Sequence, residues 1–273
     1  MKSIAFGQYY PADSLLHKLD PRIKVVLTVL YIVCTFLCKN VLSFALLLLS
    51  AILLILIGRV PLKIVLRGLR PVLIILAFTA FLNIFWTKGS HLLFAWRFIA
   101  VYAEGLWSAA FIMVRIAALI IGTGMLLTYT TTPIALTDAI EDLLLPLKKL
   151  HVPVHEFAMM MTIALRFIPL LVEETDKIMT AQKARGADFS SGSLVQRAKA
   201  LIPVLIPLFV SAFNRAGDLA IAMECRCYHG GEGRTRMNVR HVRVWDIIPL
   251  ILIVAFGVGL VLLNLYGFGY TMK

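Results

Sequence analysis

Charge is what this sequence has least of. Only 15% of its 273 residues are Asp, Glu, Lys or Arg, against about 25% in an average soluble chain. By contrast 60% are hydrophobic, and the mean hydropathy is +0.88. A water-soluble core of this size has nowhere to hide so much apolar surface. Cysteine, glycine and proline are also unremarkable, at 4, 17 and 11 residues, which excludes disulfide-stapled, collagen-like and disordered classes. Met1 to Asp20 has no short apolar core followed by small residues, so no cleavable signal is expected. The composition is that of an integral membrane protein. Acidic residues are the scarcest charges, 15 against 27 Lys and Arg for a net +12, and the location of that basic excess is the first question.

Catalytic signatures are missing as well. The chain contains no G-x-x-x-x-G-K-[ST] phosphate loop, no nucleophile elbow and no H-E-x-x-H. The glycine cluster His229-Gly230-Gly231-Glu232-Gly233-Arg234 lacks the Lys-[ST] end and reads as a turn. Cys225-Arg226-Cys227-Tyr228-His229 resembles half of a metal site, with His241 the one nearby residue for a second half. Structural zinc needs a second ligand pair, so no metal and no cofactor are expected. Pro153 between His151 and His155 keeps those two off a shared helical face. No acidic residue lies inside the apolar runs to serve a proton relay, and Glu104 and Asp246 stand at their ends. Nucleotide hydrolysis, if the protein takes part in energised work, must belong to another chain.

A spanning helix needs roughly 20 apolar residues. Five runs are candidates: Val25–Leu37, borrowing Ile23 and Lys24 at its start, and Val41–Ile57 as a tight hairpin, then Pro71–Trp86, Leu106–Leu127 and Ile247–Leu265. Phe157–Val172 carries Arg166 near its centre, and Leu201–Phe213 is short and holds Pro203 and Pro207. A charge at mid-helix costs about 2.5–3.5 kcal/mol on insertion scales. Both runs therefore read as interfacial or protein-buried helices, although hydropathy alone would make the first a span. Arg115 is the clear charge within a run; it either faces a polar partner helix or has the plainer role of snorkelling or packing against a carbonyl.

Lys and Arg set the orientation. Lys2, Lys18, Arg22, Lys24, Arg59, Lys63, Arg67 and Arg70 lie on one side, with region 129–243; Lys39, Lys88, Arg97 and Lys273 lie on the other. The positive-inside rule puts the heavier side, with the N-terminus, in the cytoplasm. The excess charge is thus orientation charge, and no nucleic-acid partner is implied. The expected architecture is an all-α membrane protein of about five spans plus a cytoplasmic or interfacial region of three helices. Residues 1–128 hold four spans, 129–243 the cytoplasmic region, and 244–273 the last span.

Within that region, Thr132-Pro133 is a helix start, opening an amphipathic helix over Ile134–Leu150. Two longer helices then resemble each other. Ile168-Pro169-Leu170-Leu171-Val172 recurs 38 residues on as Ile206-Pro207-Leu208-Phe209-Val210. Each apolar stretch passes into a more polar helix ending on an arginine between small residues, Ala184-Arg185-Gly186 and Cys225-Arg226-Cys227. Arg before Gly is in itself an ordinary helix end. Two such ends on two similar arms suggest guanidinium groups that fork onto carboxylates of two similar partners.

The chain resembles the T component of energy-coupling factor transporters. The likeness is carried by Gly7-Gln8-Tyr9, by Ser14 through Arg22, by Thr130-Thr131-Thr132-Pro133, by Ile163 through Pro169, and most specifically by Ala181-Gln182-Lys183-Ala184-Arg185-Gly186. The resemblance implies a multi-pass subunit of the prokaryotic cell membrane, bound to two ABC-type ATPase subunits and one small substrate-binding membrane subunit. ATP and Mg would belong to the ATPases, and no residue here would be catalytic. Ala184, Arg185, Gly186, Cys225, Arg226 and Cys227 would dock the ATPases. Met159, Met160, Pro169 and Pro207 would contact the substrate-binding subunit, the methionines suiting a surface that repacks, although core filling is their simpler account. The competing class is a self-sufficient secondary carrier or channel with a cytoplasmic regulatory region.

Overall fold

A computed structural model describes residues 9–86, 92–96, 99–189, 191, 193–230 and 243–266. Gly7, Gln8, Lys88, Arg97, the 231–242 stretch with His241, and Lys273 lie outside them. The all-α expectation holds for the body of the chain. In order come α1 (Leu15–Lys18), α2 (Pro21–Leu37), α3 (Val41–Gly58), α4 (Leu62–Trp86) and α5 (Ala103–Thr123). A π turn (Gly124–Thr128) leads into α6 (Pro133–Leu144), a 3-10 segment (Leu145–Leu150), α7 (Val154–Ala184), α8 (Leu194–Cys225) and α9 (Val244–Leu265). The exception is an antiparallel hairpin of β1 (Leu92–Trp96) and β2 (Ile99–Tyr102), with Trp96 opposite Ile99 and Leu92 opposite Tyr102.

Three boundaries differ from the sequence reading. Pro71 does not open the third span but lies inside α4, so Lys63, Arg67 and Arg70 ride on helical turns rather than in a loop. The amphipathic helix stops at Leu144, because Pro146 has no N–H to donate to the preceding turn. The Leu201–Phe213 run, judged too short to span, is the middle of a 32-residue helix that continues through both prolines. Among the described residues six helices are long and apolar enough to cross a membrane: α3, α4, α5 with its π turn, α7, α8 and α9. α2, at 17 residues, sits at the lower limit of a span.

The chain divides into two compact units, residues 1–139 with 240–273, and residues 140–239. The first turns its apolar side chains outward. Leu56 and Ile74 are more than two-thirds exposed, as befits a lipid-facing surface, whereas Lys24, Thr35, Asn40 and Ser43 are buried. In lipid, helices associate through close packing and polar contacts rather than the hydrophobic effect. Leu27, Tyr31, Cys34, Leu47, Phe111 and Leu260 pack at the centre. Gly122 lets α5 approach α2 so closely that a Cβ there would overlap the Tyr31 ring.

Polar contacts close both ends of this unit. At one, Arg115 donates from Nη2 to the Cys38 carbonyl at 2.8 Å, with its guanidinium 5.2 Å from the Phe44 ring centroid. Of the two roles open to Arg115, the carbonyl contact is the one found. Nearby, Asn40 Nδ2 donates to Leu263 O at 3.2 Å and Asn264 Nδ2 to Leu37 O at 2.6 Å, tying the α2–α3 corner to the end of α9.

The other end joins two stretches that lie more than a hundred residues apart in sequence. Lys24 Nζ donates to Thr130 O at 2.8 Å and to Thr131 Oγ1 at 3.3 Å. The Tyr10 N–H donates to Tyr129 O at 3.0 Å. His17 donates from Nε2 to Tyr10 O at 2.8 Å, and its Nδ1 lies 2.7 Å from the Ser14 hydroxyl. The start of α6 is thereby anchored, and Thr132 caps it, accepting the Ala135 N–H at 3.3 Å.

Candidate coupling site

α7 and α8 carry the second unit. α8 opens on a reciprocal cap: the Ser193 N–H donates to Gln196 Oε1 at 2.9 Å, and the Gln196 N–H to Ser193 Oγ at 3.4 Å. α7 follows a left-handed His151 and Pro153, and His155 Nδ1 meets Glu141 Oε1 at 2.9 Å, holding α6 against it. Glu141 joins α6 to α7 from within the same unit.

The two arms end alike. Arg185 caps α7 at φ −86°, ψ 6°, and Arg226 caps α8 at φ −94°, ψ 14°. After Arg185 the Gly186 N–H donates to Lys183 O at 3.0 Å and the Ala187 N–H to Gln182 O at 3.0 Å. After Arg226 the Cys227 N–H donates to Glu224 O at 2.8 Å and the Tyr228 N–H to Met223 O at 3.0 Å. Both are Schellman closures, with the residue after the arginine left-handed: Gly186 at φ 88° and Cys227 at φ 56°. The irregular Cys-Arg-Cys sequence therefore builds the same terminus as Ala-Arg-Gly. All six residues, Ala184 to Gly186 and Cys225 to Cys227, are exposed. Each guanidinium stands at the negative end of its helix dipole, where a cation is favoured.

A left-handed non-glycine residue costs about 1–2 kcal/mol, and a Cβ on Gly186 would meet nothing within 4 Å, so backbone alone sets the penalty there. Gly186→Ala should loosen the last turn of α7 by about 1 kcal/mol, quickening hydrogen exchange of the Ala187 amide about fivefold. Cys227→Gly should slow the Tyr228 amide by a similar factor. Equal exchange in parent and variants would contradict the strain assigned to these positions.

The remaining expected residues lie along the arms. Met159 is half-buried, Met160 is exposed, and Pro169 and Pro207 are exposed within unbroken helices. Pro169 lines a cavity of about 560 Å³ with Arg166, Phe167, Leu170 and Glu173 of α7 and Leu219 of α8. Pro207 is not among its lining residues. α8 presents Leu205, Ile206, Phe209, Val210 and Phe213 on its surface, with Phe209 and Phe213 rings 4.7 Å apart. Cys225 and Cys227 are free and exposed, and no group of three metal-ligating side chains occurs among the described residues.

Sequence reading missed one cluster. Glu174 of α7 accepts the Ser211 hydroxyl at 2.6 Å on Oε1 and Arg215 Nη2 at 2.7 Å on Oε2. The offsets from Glu174, 37 and 41 residues, straddle the 38-residue repeat. That was the available signal, but a repeat does not reveal which faces of its two copies meet.

Comparison with known proteins agrees with this layout. Residues 12–237 match the CbiQ family, described as cobalt transport protein. The chain is 51% identical over 264 residues to the energy-coupling factor transporter transmembrane protein EcfT of Ruminiclostridium cellulolyticum, covering 97% of this chain and 98% of that protein. It is 54% identical over 239 residues to the EcfT of Clostridium kluyveri, covering 87% of this chain and 88% of that protein. With the EcfT of Bacillus subtilis the figures are 52% over 236 residues, 86% of this chain and 89% of that protein. Six apolar helices, two matched arginine tips and near full-length identity converge: the chain belongs to the family of multi-pass transmembrane T components of energy-coupling factor transporters.

Proposed function

We propose that this subunit transmits force between two ATPase subunits and a substrate-binding membrane subunit. The observation that carries the reading is the pair of Schellman-capped arginines, Arg185 and Arg226, built alike from unlike sequences. A guanidinium on a rigid helix end, flanked by Ala and Gly or by two Cys, fits a groove and forks onto a carboxylate. Two equivalent tips suit two equivalent ATPases. In this scheme region 129–243 is cytoplasmic, along with the N-terminus, and the chain itself hydrolyses nothing.

The apolar faces of α7 and α8 supply the other contact. Met160, Leu170, Leu205, Ile206, Phe209 and Phe213 are exposed, and Met159, Pro169 and Pro207 adjoin them in sequence. A face of that character serves a partner that slides, because methionine and aliphatic side chains repack cheaply. Closing of the ATPase pair would move the tips, and the apolar faces would tilt the substrate-binding subunit. Substrate choice rests with that subunit. The test is reconstitution of the purified chain alone and with its ATPases and substrate-binding partner, scoring uptake into vesicles.

A further inference from the structure

We propose that Glu174, Ser211 and Arg215 form a pin that fixes the crossing of α7 and α8 and thereby sets the spacing of the two arginine tips. The proposal rests on the coupling reading only in treating the tips as docking points. The three side chains close a ring: the Ser211 hydroxyl and Arg215 Nη2 occupy the two carboxylate oxygens, and Arg215 Nε donates to Ser211 Oγ at 3.3 Å. The ion pair is partly shielded, with side-chain exposures of 36% for Arg215 and 22% for Glu174.

Apolar packing is poorly placed to hold this crossing. Among the described α8 residues Val204 is the one buried side chain, and Phe209, Val210 and Phe213 beside the pin face outward. A smooth apolar contact leaves helices free to slide or rotate, whereas a paired carboxylate and guanidinium specify one register. Leu219, a turn beyond Arg215, shares a cavity with residues that precede Glu174. The helices therefore run in opposed directions at the pin and carry their tips apart. The arm lengths match: Glu174 to Arg185 and Arg215 to Arg226 are each eleven residues, roughly 16 Å of helix. One cross-link equidistant from both tips turns two separate helices into one lever with equal arms.

The experiment places nitroxide labels on Lys183→Cys and on native Cys227 in a Cys225→Ser background, the buried Cys34 and Cys38 staying unlabelled. Electron-resonance distance distributions are then recorded for the full chain in lipid nanodiscs. The parent should give one narrow distribution, Glu174→Ala one at least twice as wide, and the charge swap Glu174→Arg with Arg215→Glu a narrow one again. In the assembled transporter, unlabelled Glu174→Ala should keep its ATPases while uptake falls about tenfold, and the swap should restore most of it. A distribution no wider in Glu174→Ala, or a swap as wide as the single variant, would overturn the pin, and so would unchanged uptake. Failure of the coupling reading would show separately, as a parent chain that brings no ATPases, with the distance measurements still deciding the pin.

Discussion

Reversing both tip charges, Arg185→Glu with Arg226→Glu, should abolish co-purification of the ATPases and reduce uptake to background, with the chain still folded in the membrane. Truncating one partner of a desolvated charge pair commonly costs 2–5 kcal/mol. Two tips together then weaken docking by about 4 kcal/mol or more, at least a thousandfold. Reversal acts twice, because a carboxylate at a helix C-terminus also opposes the dipole, by about 0.3–1 kcal/mol. Fold should survive because both side chains are exposed and the Schellman bonds use backbone atoms alone. Either single reversal should leave one arm docked and a smaller defect. Normal ATPase recovery in the double variant would show that the tips are ordinary helix ends.

Lys24→Met should cause the largest loss of stability. Lys24 is 1% exposed, and its ammonium satisfies the Thr130 carbonyl and the Thr131 hydroxyl. A methionine keeps the stem but leaves both acceptors unpaired, and each buried orphan costs about 1–3 kcal/mol. A net loss of about 3 kcal/mol would lower the melting temperature by roughly 6–12 °C for a chain of this size. Because Thr130 and Thr131 lead directly into α6, loss of the lysine should also loosen the start of that helix. Unfolding followed by size-exclusion chromatography on heated, detergent-solubilised protein reads the shift. A melting temperature within 2 °C of the parent would show that water reaches the site and replaces the ammonium.

Much of the coupling region is legible in sequence because its signals are local. The Thr132 cap and the two arginine ends depend on neighbours within one turn and reappear as a helix start and two helix stops, while the repeated Ile-Pro-Leu stretches fall within the two long arms. Proline is where local rules mislead. Pro71, Pro169, Pro203 and Pro207 all lie inside helices, so proline did not mark the boundary it suggested at residue 71. Pro146, beside Lys148 and Lys149 near the end of its helix, did stop α6. The hairpin of β1 and β2 gave no turn signature, since Arg97 and Phe98 between the strands are not turn formers.

Long-range polar partners were the least visible. Composition could flag Arg115 as costly in lipid, but its answer, the Cys38 carbonyl and the Phe44 ring, lies across a helix interface. In sequence Lys24 is one more orientation charge, and only the packing of α2 against the Thr130 segment shows it bonding the turn ahead of α6. Glu174 and Arg215 likewise read as ordinary charges on two polar helix faces. Periodicity tells which residues share a face; it does not tell which faces meet.

The central claim, that this chain transmits work done elsewhere, is tested most directly by substrate uptake into proteoliposomes of defined composition. Vesicles holding this chain with both ATPases and a substrate-binding subunit should accumulate substrate when ATP is supplied. The same vesicles lacking the ATPases should show none, with or without an ion gradient. Substrate flux from the purified chain alone would contradict the account and identify a self-sufficient carrier.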